Sequence, residues 1–143
     1  MRRASEFWTE FFADKDKSIT VMIENQFEQT SELMKMVVDT VNDKRLKICL
    51  DVGHANCNSN MSVYDWIKTL GARIGYMHLH NNHGKNEKLA NTDEHLGLTD
   101  GTIDMKRVLR LVKTHCPKAI LAIEANIKFA PESIVFLKKA TAK

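Results

Sequence analysis

Cysteine, hairpin chemistry and long apolar runs are all scarce in this chain. Its three cysteines, Cys49, Cys57 and Cys116, form no C-x-x-C pair. An odd, widely spaced set argues against a disulfide framework and against a structural zinc knuckle. A reducing, cytoplasmic setting is the expectation. No run approaches the length of a membrane span, so no membrane partner is expected. The opening MRRASEFW carries two arginines but no apolar stretch of the kind a signal peptide needs. Charge of one sign is also thin. The formal net charge is +3 and the pI about 8.8, with lysine and arginine spread along the chain. That is weak support for a nucleic-acid partner. There is no low-complexity segment and no linker.

What is present is a 143-residue chain, 43% hydrophobic and 27% charged, as expected for one globular domain over residues 1–143. Short apolar runs alternate with helical periodicity. SEFWTEFFADK puts Phe7, Trp8, Phe11 and Phe12 on one helical face. ITVMI, from Ile19, is β-branched and reads as a covered strand ending at Glu24-Asn25. A helix follows with Leu33, Met34, Val37, Val38 and Val41 on its stripe. KICL then leads to Asp51. Ser62 and Asp65 form a capping-box-like start for the helix bearing Val63, Trp66, Ile67 and Leu70, which Gly71 ends. IGYMHL reaches His78–His80, and a long polar loop spans Asn81 to Thr102. Asp104 caps a helix with Met105, Val108, Leu109 and Val112 on its apolar side. AILAI ends at Glu124-Ala125-Asn126, and Pro131 opens the last helix. Strands alternating with helices, with little hairpin chemistry between them, predict an α/β fold of parallel β/α units.

Every predicted strand ends in an ionisable residue: Glu24, Asp51, His78 and Glu124. The first two intervals between them are equal, each one β/α unit long. The third is longer by the polar loop. C-terminal ends of parallel strands open onto one face, so the four side chains are expected to converge there. A lone glutamate after a strand is usually a solvated loop residue. Four strands out of four ending this way is a different signal. Three carboxylates crowded together repel unless a cation sits among them. This donor set suits Mn²⁺, Zn²⁺, Co²⁺ or Mg²⁺. His54, Asp93 and His95 lie on neighbouring loops, and the D-x-H spacing suits a second metal or a polar substrate. His80 shares the pleat side of His78 and is expected to project further out, toward the same substrate or second metal. Cys49 reads as core, and His83 and His115 as surface.

IEN (23–25), LDVGHA (50–55), YMHLHNNHG (76–84), DEHLGLTDGTID (93–104) and AIEAN (122–126) occur in an order and spacing that resembles the xylose isomerase-like TIM-barrel superfamily. That group contains sugar-phosphate isomerases and epimerases, ketohexose 3-epimerases and the family-2 apurinic/apyrimidinic (AP) endonucleases. The resemblance implies metal ligation by Glu24, Asp51, His78 and Glu124, with the two glutamates also moving protons. It gives His54 a substrate-binding role, or, with Asp93 and His95, an extra zinc. The sequence departs from the family at Asn81, where many members have Asp, and at Thr99-Asp100-Gly101, where many read G-E-G.

A whole barrel of this type needs ~250 residues. The resemblance therefore implies a C-terminal half-barrel of four strands, completed by a second copy or by an N-terminal half. The implied activity is a metal-dependent sugar or sugar-phosphate isomerase/epimerase, acting by proton transfer through an enediolate. The alternatives are an AP endonuclease-like zinc phosphodiesterase and a non-catalytic half-barrel.

Overall fold

The computed structural model describes residues 2–86 and 92–142. The elements are α1 (Arg2–Ala13), β1 (Val21–Glu24), α2 (Glu32–Val41), β2 (Leu46–Asp51), α3 (Val52–Asn58), α4 (Val63–Leu70), β3 (Ile74–Leu79), α5 (Met105–His115), β4 (Ile120–Ile123) and α6 (Ala130–Thr141), with short 3-10 turns at Gly71–Arg73 and Ile127–Phe129. The four strands form one sheet in the order β1-β2-β3-β4, and every neighbouring pair is parallel. The α/β architecture of parallel units is the one the alternating pattern predicts. No helix among the described residues is long and apolar enough to cross a membrane.

Local chemistry starts and stops these elements. Ser62 Oγ accepts from the Asp65 N–H at 3.2 Å and donates to Asp65 Oδ2 at 2.7 Å, starting α4. Gly71 ends α4 at φ +52°, a region glycine enters without a Cβ penalty. Asp104 accepts from the Arg107 N–H at 3.0 Å, starting α5. One sheet face packs on the helices: Leu46, Ile48, Leu50, Met77 and Leu79 are buried against Trp66, Ile67, Leu70 and Val108. Burying each such large side chain is worth about 1.5–3 kcal/mol, so this layer holds the strand ends in place. The other face carries Met22, Lys47, Tyr76 and Ala122, all half-buried, and Ile120, which is 58% exposed.

Three local expectations change. The first strand begins at Val21, because Asp16 accepts from both the N–H and the hydroxyl of Ser18 and holds Ile19 in a turn, largely outside the core. Only Phe12 of the α1 aromatics is buried, and Phe7 is exposed. The reason is that α1 packs chiefly along α2, and Arg45 stacks over Phe12 at 4.5 Å. Between β2 and α4 lies an extra helix, α3, which the sequence pattern does not predict. The long polar loop contains residues 87–91, which lie outside the described residues; Asn81 makes an antiparallel bridge with Leu96, and the loop's ends are tied by the Thr102 N–H donating to Asn82 O at 3.0 Å.

Candidate metal centre

Asp51 ends β2 and also caps α3. Its Oδ1 accepts the His54 N–H at 2.7 Å, satisfying one of the open donors of the first helical turn. Asn25, buried at the end of β1, grips the Asp51 backbone from both sides. Its Oδ1 accepts from the Asp51 N–H at 2.8 Å and its Nδ2 donates to the Asp51 carbonyl at 3.0 Å. The ends of β1 and β2 are thereby locked together, and Asp51 Oδ2 is left buried with no hydrogen bond.

Around that oxygen the structure gathers all four strand-end residues. His78 Nδ1 lies 3.6 Å from Asp51 Oδ2, 3.4 Å from Glu24 Oε1 and 2.9 Å from Glu124 Oε2. One donor atom from each of Glu24, Asp51, His78 and Glu124 falls within 4.8 Å of every other. His78 Nδ1 is itself buried without a hydrogen bond. Among the described residues, every ion pair made by Glu24, Asp51 and Glu124 is to a histidine. Orphaned buried atoms from two ligand-type side chains, and carboxylates with no lysine or arginine partner, fit a divalent cation. Burial pushes the Glu124 carboxyl up; His78 pulls it back and the Asp51 carboxylate pushes it further, leaving it above the usual range. Burial would likewise raise Asp51, but the hydrogen bond and charge of His80, with the N–H and ring of His54, hold it below its ordinary value. Cys49 lies beneath this group, and burial with the nearby carboxylates pushes its thiol up to about 12, so it sits as a neutral core group.

A second group lies alongside: one ligand atom from each of His54, His80, Asp93 and His95 falls within 4.8 Å of every other. His54 Nε2 is 3.2 Å and His95 Nε2 3.1 Å from Asp93 Oδ2. The opposite nitrogen of each ring faces a backbone carbonyl: His54 Nδ1 meets Asn25 O at 2.9 Å, and His95 Nδ1 meets Glu124 O at 2.8 Å. A carbonyl accepts only, so Nδ1 carries the hydrogen and both Nε2 atoms aim at Asp93. Histidines that hold metals are anchored in this way. Burial lowers both imidazoles, but the surrounding carboxylates and carbonyls outweigh it and raise them. His95 has φ +49°, a backbone state that costs a non-glycine residue about 1–2 kcal/mol. The Asn126 N–H donating to His95 O at 2.8 Å helps hold it there.

His80 stays with His54, Asp93 and His95, but it is buried instead of projecting outward. It is fully buried, its Nε2 lies 3.0 Å from Asp51 Oδ1, and its ring stacks on His95 at 3.9 Å. It lies just past the end of β3, and Gly53 of α3 sits directly against its ring and covers it. His83 is exposed and pairs with Glu94 at 2.9 Å, while His115 ends α5.

Residues that sequence reasoning left out hold this arrangement. Asn25 is one. Asn81, fully buried, donates from Nδ2 to the carbonyls of Leu98 and Ile103, both at 3.1 Å, and accepts the Ile103 N–H at 3.0 Å. An aspartate could not donate those two bonds, which gives the departure at Asn81 a physical reason. Asn82 ties the same loop to α3 by donating to Gly53 O at 2.9 Å. The only available signal was the pair of asparagines directly after a strand.

A parallel α/β sheet of this kind has known counterparts. The chain belongs to the xylose isomerase-like TIM barrel family, whose model matches residues 1–140. It is 31% identical over 112 residues to an uncharacterised protein of Methanocaldococcus jannaschii, covering 77% of this chain and 36% of that one. It is 28% identical over 110 residues to a probable endonuclease 4 of Metamycoplasma arthritidis, covering 69% and 40%. Among solved structures, a D-tagatose 3-epimerase-like protein matches at TM-score 0.70 with 26% identity, over 97% of this chain and 51% of that one. The IOLI protein, solved with a zinc atom bound, shares the fold at TM-score 0.74 with 20% identity, over 98% and 54%. The chain thus spans under half the length of these two curated relatives and about half that of the two solved chains.

Proposed function

We propose that this chain carries a metal-dependent sugar or sugar-phosphate isomerase/epimerase site. The observation behind this reading is the convergence of Glu24 and Glu124, from the two outermost strands, on His78 Nδ1 at 3.4 and 2.9 Å. Two carboxylates approaching one point from opposite edges of a sheet suit proton removal from one side of a carbon and return on the other. Glu24, Asp51, His78 and Glu124 are the residues to hold the cation, with Mn²⁺, Zn²⁺, Co²⁺ and Mg²⁺ all compatible with the donors. A cation held there would supply Lewis-acid polarisation of a ketose carbonyl and its neighbouring hydroxyl. The raised carboxyl of Glu124 suits a group that carries a proton between carbon and solvent. His54 and His95 orient the hydroxyls of the sugar. Residues 1–143 act as one half-barrel domain, and a second copy or an N-terminal half-barrel covers the half-exposed sheet face.

The test is solvent-deuterium incorporation next to the carbonyl in a panel of ketohexoses and their phosphates, with Mn²⁺ or Co²⁺ added. Exchange that is lost in Glu124→Gln supports the reading. Absence of exchange from a metal-loaded, folded protein overturns it.

A second reading rests on the His54–Asp93–His95 group, whose anchored rings suit a further zinc, and on similarity to a probable endonuclease 4. It is a zinc phosphodiesterase acting at abasic sites in DNA, and cleavage of such DNA in place of deuterium exchange would favour it. A protein that binds no metal and does neither is a non-catalytic half-barrel.

A further inference from the structure

We infer that His80 is a positioning residue: it donates from Nε2 to Asp51 Oδ1 and so directs Asp51 Oδ2 at the site of the cation, rather than ligating a metal or a substrate itself. This rests on the metal reading above. His80 is fully buried, and Asp51 is fully buried beside it. The two oxygens of Asp51 are used unequally. Oδ1 receives the His54 N–H at 2.7 Å and the His80 ring nitrogen at 3.0 Å, while Oδ2 receives no hydrogen bond among the described residues. A carboxylate held on one oxygen by two donors cannot turn, and its free lone pairs stay on the side of Glu24, His78 and Glu124. The bond to an acceptor-only carboxylate places the hydrogen of His80 on Nε2.

Two contacts fix the ring itself. It stacks on His95 with the planes 8° apart. On its other flank is Gly53 of α3, where an added Cβ would fall inside the imidazole. The ring therefore occupies a slot between a helix backbone and a second imidazole, with Nε2 on Asp51 and with Nδ1 buried and making no hydrogen bond among the described residues. The same nitrogen is 3.7 Å from Asp93 Oδ1, so the one residue lies between the two acidic groups. Partners of this kind behind a metal ligand are worth about 10–100-fold in metal affinity.

The experiment is Co²⁺ titration of the metal-free chain, followed by calorimetry and by the visible spectrum of the bound ion. His80→Phe keeps an aromatic ring for the slot and the stack and removes both ring nitrogens. It is expected to bind Co²⁺ at least ~10-fold more weakly, with a shifted spectrum and an unchanged number of equivalents. His80→Gln, long enough to donate, is expected to recover most of the affinity, and His80→Asn, too short, is not. The Gln and Asn pair decides the matter even where the Phe variant fails to fold. Equal affinity and spectrum across folded variants overturn the inference. Loss of one whole equivalent in His80→Phe, with the remaining site untouched, also overturns it, because His80 is then a ligand. Wild-type protein that binds no Co²⁺, Mn²⁺ or Zn²⁺ brings down the metal reading itself.

Discussion

Gly53 and His80 lie in direct apposition, so close that a Cβ on Gly53 would occupy the imidazole ring. Gly53 has an ordinary helical backbone and needs no glycine for its own conformation. In a helix, alanine is favoured over glycine by about 1 kcal/mol, so the ring alone sets the sign here. Gly53→Ala is expected to destabilise the protein by about 1–3 kcal/mol through overpacking. In a His80→Ala background the same change becomes neutral or stabilising by up to ~1 kcal/mol. Urea unfolding of the four proteins measures this, and an equal cost in both backgrounds would refute it.

Asn81→Asp puts the residue common in the family into this chain, yet it should harm it. The carbonyls of Leu98 and Ile103 lose their shared donor, and a carboxylate is set against them in a site with no exposure. An unmet buried group costs about 1–3 kcal/mol, so a loss of at least ~2 kcal/mol is expected. The midpoint of urea unfolding reports it, and a wild-type midpoint would show that the loop rearranges freely.

Metal should act as a stabiliser. A cation bound only by the folded chain at 100 times its dissociation constant adds about 2.7 kcal/mol. Thermal unfolding with Mn²⁺, and again after chelation, should show that gain and its loss. Asp51→Asn and Glu124→Gln should abolish most of it, while a change at the exposed His83 should leave it intact. A Mn²⁺ effect that survives both substitutions would place the cation elsewhere.

One pH effect lies outside the site. The Asp43 carboxylate is held at about 2 by its hydrogen bonds and charge pairing with Arg45, whose Nη2 donates both to Asp43 Oδ2 at 2.7 Å and to Phe12 O at 2.9 Å and so ties α1 to the sheet. A depressed carboxyl contributes stability above its unfolded value of 3.8, and this is lost as the pH falls toward 2. Asp43→Asn should therefore be less stable than wild type at pH 6, with the difference closing between pH 4 and pH 2. Chemical denaturation at those pH values tests it, and a constant difference would count against the pairing.

The sequence by itself determined the alternation of strands and helices, the caps at Ser62 and Asp104, the stop at Gly71, and the presence of an ionisable group at each strand end. These are local matters, set within a few residues by periodicity, side-chain capping and the conformational freedom of glycine. It could not show that Asp51 starts a helix, because the cap depends on a single hydrogen bond to His54. Tertiary structure alone decided that Asn25 clamps Asp51, that His80 lies buried behind it, that Gly53 is glycine to admit that ring, and that Asn81 is an asparagine to feed two carbonyls. Each of these joins residues 17 to 29 apart in the chain. Their partners are set by how parallel strands and their loops pack, and no pattern of neighbouring residues encodes that.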